Sequence, residues 1–207
     1  MIPISDIIIR SISGYVFIVP IIILYYLFLG RRNKKQTFLH IIVVSVFCYY
    51  LFGILTVTGI GFTKSVVFRP NLSFVPFVGM LTGPIDTMLN IILFVPMGLF
   101  LPLLYKKYNS IKTVALTGFL FSLSVEIVQM FGWGSSDVND LMTNTIGACL
   151  GFFAYKLILK VLPAKVQTRL YSNNINEFAE MIFFAVCTFI IMVTAQRWIV
   201  HGVLNIP

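Results

Sequence analysis

Charge is what this 207-residue chain has least of. Only 11% of its residues are Asp, Glu, Lys or Arg, while 58% are hydrophobic; ordinary soluble domains are about 25% charged. A soluble fold of this length has to cover its surface with polar groups, and this sequence does not supply them. A bilayer removes that requirement. Histidine is nearly missing as well. His40 and His201 fall at opposite expected faces of a membrane, so no histidine-based metal site is expected. The three cysteines, Cys48, Cys149 and Cys187, each lie inside an apolar run without a Cys or His at ligand spacing. They read as small apolar core residues, with no disulfide framework. No Ser-His-Asp set, no Cys-His pair and no phosphate-cradling glycine loop is present. Carboxylates and amides can hold Mg²⁺, Ca²⁺ or Mn²⁺ through oxygen, but the expectation is no metal and no cofactor.

The net charge of +8 would point to nucleic acid in a soluble protein. Here the basic residues sit in short runs between apolar stretches, so no nucleic-acid partner is expected. Six stretches are long enough to span, because a helix rising about 1.5 Å per residue needs roughly 20 residues to cross about 30 Å of hydrocarbon. They lie near Ser11–Leu29, Phe38–Ile60, Met88–Tyr105, Thr113–Phe131, Leu141–Leu162 and Phe178–Val200. The expected class is therefore all-α, a polytopic membrane protein of about six transmembrane helices. The first stretch is kept as a helix rather than a signal peptide. Asp6 and Arg10 offset each other before it, and Arg31-Arg32-Asn33-Lys34-Lys35 follows it as a stop-transfer flank. Pro163–Glu180 reads as an interfacial helix or a polar loop.

Eleven of the fifteen basic residues, from Arg31, Arg32, Lys34 and Lys35 to Lys156, Lys160, Lys165 and Arg169, fall on one set of connections; Arg10, Lys64, Arg69 and Arg197 fall on the other. The positive-inside rule puts the first set in the cytoplasm and both termini outside. Trp133 and Trp198 then lie at the outer interface, where tryptophan prefers to sit.

The acids carry the most information. There are seven, and Asp86, Glu126, Asp137 and Asp140 flank or enter the third, fourth and fifth helices at one end. Gly118, Ser122, Glu126 and Gln129 are spaced four, four and three apart, which forms one helical stripe. Glu126 would lie roughly 8 Å below the outer end. A carboxylate facing lipid there costs a few kcal/mol on the mild insertion scale, so it should face protein, opposite Asn144 or Asp140. Asp140, Asn144, Gly147 and Gly151 repeat the pattern on the fifth helix. The turn Gly132–Ser136 is short enough to make the two helices antiparallel neighbours. Asp86 and Asn90 add one turn of the third helix, which Pro96 and Pro102 interrupt. Plainer readings stand beside these. Asp137 can cap the fifth helix with Asp140 in its first turn. Asn90, Gln129 and Asn144 can be interhelical hydrogen-bond glue, and the glycines packing contacts.

Three elements resemble the VanZ-like family. Asn90-Ile91-Ile92-Leu93-Phe94-Val95-Pro96-Met97-Gly98 is similar to its Asn-x-x-x-Phe-x-Pro-x-Gly. Ser122-x-x-x-Glu126-x-x-Gln129 is similar to its Ser-x-x-x-Glu-x-x-Gln. Asp137-Val138-Asn139-Asp140, followed by Asn144-Thr145-Ile146-Gly147 and Gly151, is similar to its Asp-x-x-Asp and Asn-Thr-x-Gly. Order and spacing agree across all three, and the likeness covers roughly residues 40–160. Two positions depart. Ser73 stands where many members have the Asn of Asn-Leu-x-Pro-Phe, and Gly134 where many have Arg; if that arginine binds an anionic group, either Arg69 or backbone donors replace it here or this protein binds something else.

On this resemblance the chain divides into residues 1–37, a first helix and basic cytoplasmic loop; residues 38–162, a VanZ-like core of four helices; and residues 163–207, a cytoplasmic connection and last helix. The resemblance implies a bacterial plasma membrane and the cell envelope. The founding member is associated with resistance to teicoplanin, a lipoglycopeptide antibiotic. The expected function is binding of an amphiphile, a membrane lipid or lipid-like antibiotic, in an outer-leaflet polar pocket of Asp86, Asn90, Glu126, Gln129, Asp137, Asp140 and Asn144. The alternative is a membrane enzyme acting on a lipid or lipid-linked envelope precursor, with Glu126, Asp137 or Asp140 as acid–base groups or metal ligands. A transporter fits less well, since no inverted halves with paired broken helices are seen. Sequence does not specify the oligomeric state.

Overall fold

The computed structural model describes residues 4–60, 68, 72–73, 83–131, 136–172, 176–196 and 198–199. Its helices are α1 (Ile4–Arg31), α2 (Phe38–Val57), α3 (Pro84–Leu104), α4 (Ile111–Gln129), α5 (Val138–Val161), the short α6 (Ala164–Leu170) and α7 (Glu177–Ile191). A π-helical turn over Met192–Gln196 continues α7. Six of these are long and apolar enough to cross a membrane, the last as Glu177–Ala195. The polar stretch after α5 does form a helix, α6, of seven residues. The expected tryptophan at 133 lies outside the described residues, as do Lys64, Arg69, Gly134, Arg197 and His201; Trp198 is exposed.

Two compact units form: residues 1–64 with 172–207, and residues 65–171. In the first, α1, α2 and α7 pack together. Thr37 caps α2, its side chain accepting from the His40 amide, and Asn176 caps α7 by accepting from the Ala179 amide at 3.1 Å. At the ends of these helices that adjoin Arg31–Lys35, a buried acid gathers partners. Glu180 Oε1 accepts from Tyr26 O–H at 3.0 Å and contacts His40 Nε2 at 2.8 Å, and Oε2 accepts from Ser172 O–H at 3.1 Å.

The second unit holds α3 to α6. α3 and α5 form its most intimate pair. A Cβ on Gly98 would strike the Ala148 carbonyl, one on Gly147 the Ile91 carbonyl, and one on Gly151 the Val95 carbonyl. The close approach therefore requires glycine on both helices, as in other small-residue membrane interfaces. α3 runs unbroken through Pro96 and Pro102. Away from the seam α5 presents Ile146, Leu150, Phe153, Leu157 and Val161, all exposed, at spacings of four, three, four and four. Its inward face carries Asn144, Gly147, Gly151 and Tyr155. A helix with small and polar residues inside and aliphatic residues outside suits a lipid surround.

Candidate functional site

Three helix ends of the second unit meet away from its lysines. α3 opens with Pro84 in its first turn, a position where the missing N–H costs nothing. That places Asp86 in the first turn, exposed, and Asn90 one turn further in. α4 runs the opposite way and ends at Gln129, so Ser122 and Glu126 lie in its last two turns, both buried. α5 starts at Val138, with Asp137 as its cap: Oδ1 accepts from the Asn139 amide and from Asn139 Nδ2, each at 2.9 Å. The capping role read from the sequence for Asp137 is therefore present, and Asp140 follows in the first turn.

Bonds tie the three helices in three places. Asn90 Nδ2 donates to Asp140 Oδ1 at 2.6 Å, joining α3 to α5. The Asp137 backbone N–H donates to Glu126 Oε2 at 3.0 Å, so the intramembrane carboxylate of α4 holds the first residue before α5. One turn deeper, Asn144 Nδ2 donates to Ser122 Oγ at 2.9 Å. Glu126 was expected against Asn144 or Asp140. Glu126 Oε2 meets the Asp137 backbone, and Asn144 reaches Ser122. Glu126 and Asn144 are each only 4% exposed. Asn144 Oδ1 is buried without a hydrogen-bond partner among the described residues, a costly state for an amide oxygen away from water. Gln129, half-buried, ends α4 one turn beyond Glu126.

Asp137 and Asp86 lie within electrostatic range of Asp140. No group of three or more His, Cys, Asp or Glu side chains converges to hold an ion among the described residues. Two contributors were not singled out from sequence. Ser122 was read as part of a stripe and a motif but not of the pocket, and Asn139, 5% exposed, only as a spacer in a motif. Its place two residues after a capping Asp was the available signal. The departing position Ser73 also comes into play. Leu72–Ser73 pairs in parallel with Ser136–Asp137, setting the Ser73 backbone beside that of Asp137.

These features define a multi-pass helical membrane protein whose second unit carries buried polar links between three spans. The family described as VanZ/LLP1 matches residues 47–160, more than half of the chain, and the protein belongs to it. Protein VanZ of Enterococcus faecium is 35% identical over 101 residues, which cover 48% of this chain and 61% of that relative. The chain thus matches somewhat under two thirds of the relative's length. No solved structure matches the chain. The three motif elements fall on α3, α4 and α5, and the links Asn90–Asp140, Glu126–Asp137 and Ser122–Asn144 each join residues of two of them.

Proposed function

We propose that this protein binds the polar head of an amphiphile at Asp86, Asn90, Glu126, Gln129, Asp137, Asp140 and Asn144, and so lowers bacterial susceptibility to lipoglycopeptide antibiotics such as teicoplanin. The site faces the outer leaflet of the plasma membrane, and both termini are outside. One observation carries the reading: the buried Asn144 amide, one turn along α5 from Asp140, keeps an oxygen without a partner among the described residues. Interhelical glue alone would leave no acceptor over, whereas a ligand head supplies the missing donor. The apolar outer faces of α3 and α5 give the ligand's tail a path to stay in lipid.

An enzyme using Glu126, Asp137 or Asp140 as acid–base groups is the competing reading. Binding is favoured because Glu126 Oε2 already accepts from the Asp137 amide and Asp137 Oδ1 from two Asn139 donors. Such carboxylates act as fixed acceptors. Purified protein incubated with labelled envelope lipids separates the two: saturable binding without turnover supports the receptor, and turnover the enzyme.

In cells, Glu126→Gln, Asp140→Asn and Asn144→Ala are each expected to abolish a resistance phenotype while membrane abundance and thermal stability stay near wild type. Loss of the phenotype only in step with protein level would make the cluster structural and sink the assignment. Orientation is tested separately, with Asn33→Cys and Ser135→Cys in a cysteine-free background. An impermeant thiol reagent on intact cells is expected to label position 135 and spare position 33. The reverse pattern overturns the outside placement of the termini.

A further inference from the structure

Resting on the amphiphile-binding reading, we infer that the ligand's head is a primary ammonium that donates N–H bonds to the carboxylates of Asp137 and Asp140 and to the buried oxygen of Asn144. The argument starts from what the site leaves open. Asp140 gives Oδ1 to Asn90, and Asp137 gives Oδ1 to Asn139. Their second oxygens, like Oδ1 of Asn144, receive no bond from the described residues. The open groups of these three residues are therefore all acceptors. An acceptor-only site selects a donor, and Lys-like ammonium groups carry three donors and no acceptor.

Charge points the same way. Asp86 and Asp137 each lie within electrostatic range of Asp140, so a cation placed among them is attracted by all three carboxyl groups. Among the described residues of this unit the bases are Lys106, Lys107, Lys112, Lys156, Lys160, Lys165 and Arg169. All lie at the opposite helix ends or beyond them. Lys156 is sixteen residues along α5 from Asp140, about 24 Å by the helical rise. An anionic head would meet carboxylates with none of these bases to offset them. A divalent ion would need a convergent oxygen cage, and no group of three or more His, Cys, Asp or Glu gathers among the described residues. An ammonium needs only two or three acceptors, and its hydrogen bonds to charged oxygens are about twice as strong as neutral ones.

The test uses the full chain in detergent and native mass spectrometry with three lipids of identical acyl chains. Phosphatidylethanolamine offers a primary ammonium. Phosphatidylcholine keeps the positive charge without N–H donors, and phosphatidylglycerol has neither. Wild type is expected to retain phosphatidylethanolamine roughly tenfold more strongly than the other two. Asp140→Asn, which keeps an acceptor for Asn90, and Asn144→Ala are each expected to erase that preference. Equal retention of phosphatidylcholine or phosphatidylglycerol, weakened by Asn144→Ala, overturns the ammonium and leaves amphiphile binding standing. A preference for phosphatidylethanolamine that survives both substitutions puts the ammonium elsewhere and overturns the inference. Absence of saturable retention of any of the three overturns the amphiphile reading with it.

Discussion

Gly151→Val is expected to leave little folded protein in the membrane. A Cβ at residue 151 would overlap the Val95 carbonyl oxygen and sit 2.9 Å from both Gly98 Cα and Leu99 N. Every one of those atoms is backbone, so no side chain can swing aside. α3 and α5 would have to part along the seam where Gly98 meets the Ala148 carbonyl and Gly147 meets the Ile91 carbonyl. Parting them also strains the 2.6 Å bond from Asn90 to Asp140 at the end of the same seam. Overpacking in ordinary cores costs about 1–3 kcal/mol, and a clash confined to backbone belongs at or above the upper end. Gly53→Ala is the control, because a Cβ there meets nothing within 4 Å. Membrane abundance and melting in detergent are the readouts. A Gly151→Val protein as abundant and as stable as the Gly53→Ala protein would show that the seam is not closed as described.

The glycine seam and the spans were legible for the same reason: length, hydropathy and a period of four or three are local properties. Edges were less so. α3 begins at Pro84, four residues before the apolar window suggested, because proline is at home in a first turn whatever its hydropathy. α1 begins at Ile4 rather than Ser11, so Arg10 lies within the helix, buried at its second or third turn. Helical phase correctly turned Ser122, Glu126, Asn144, Gly147 and Gly151 inward. It did not settle which residue meets which, since pairing depends on the relative height of α4 and α5. With the Asp137 amide at the level of Glu126, Asn144 drops one turn, to Ser122. The parallel pairing of Leu72–Ser73 with Ser136–Asp137 was not legible at all, because two-residue strands have no period.

The buried acid of the first unit was missed outright, and its removal is the second large effect expected. Glu180 sits in the first turn of α7, where an acid is ordinarily read as an exposed complement to the helix dipole. Its partners come from far away in sequence: Tyr26 near the end of α1 and His40 near the start of α2, with Ser172 before α7. His40 and Glu180 are fully buried, so one carboxylate fastens three spans. Glu180→Ala takes the carboxylate from Tyr26, His40 and Ser172 at once. Interhelical hydrogen bonds in membranes average only about 0.6 kcal/mol each, so the bonds alone would give a modest loss. Desolvated polar groups that lose their acceptor are the larger effect, about 1–3 kcal/mol for each group. The expected result is a marked fall in melting temperature in detergent, with Glu180→Gln, which keeps an acceptor oxygen, falling less. A double-mutant cycle tests the pairing itself. Once Glu180 is alanine, His40→Ala should cost little more, because the two residues act on one contact. If the two losses simply add, His40 and Glu180 contribute independently, and the carboxylate is not what holds α1, α2 and α7 together.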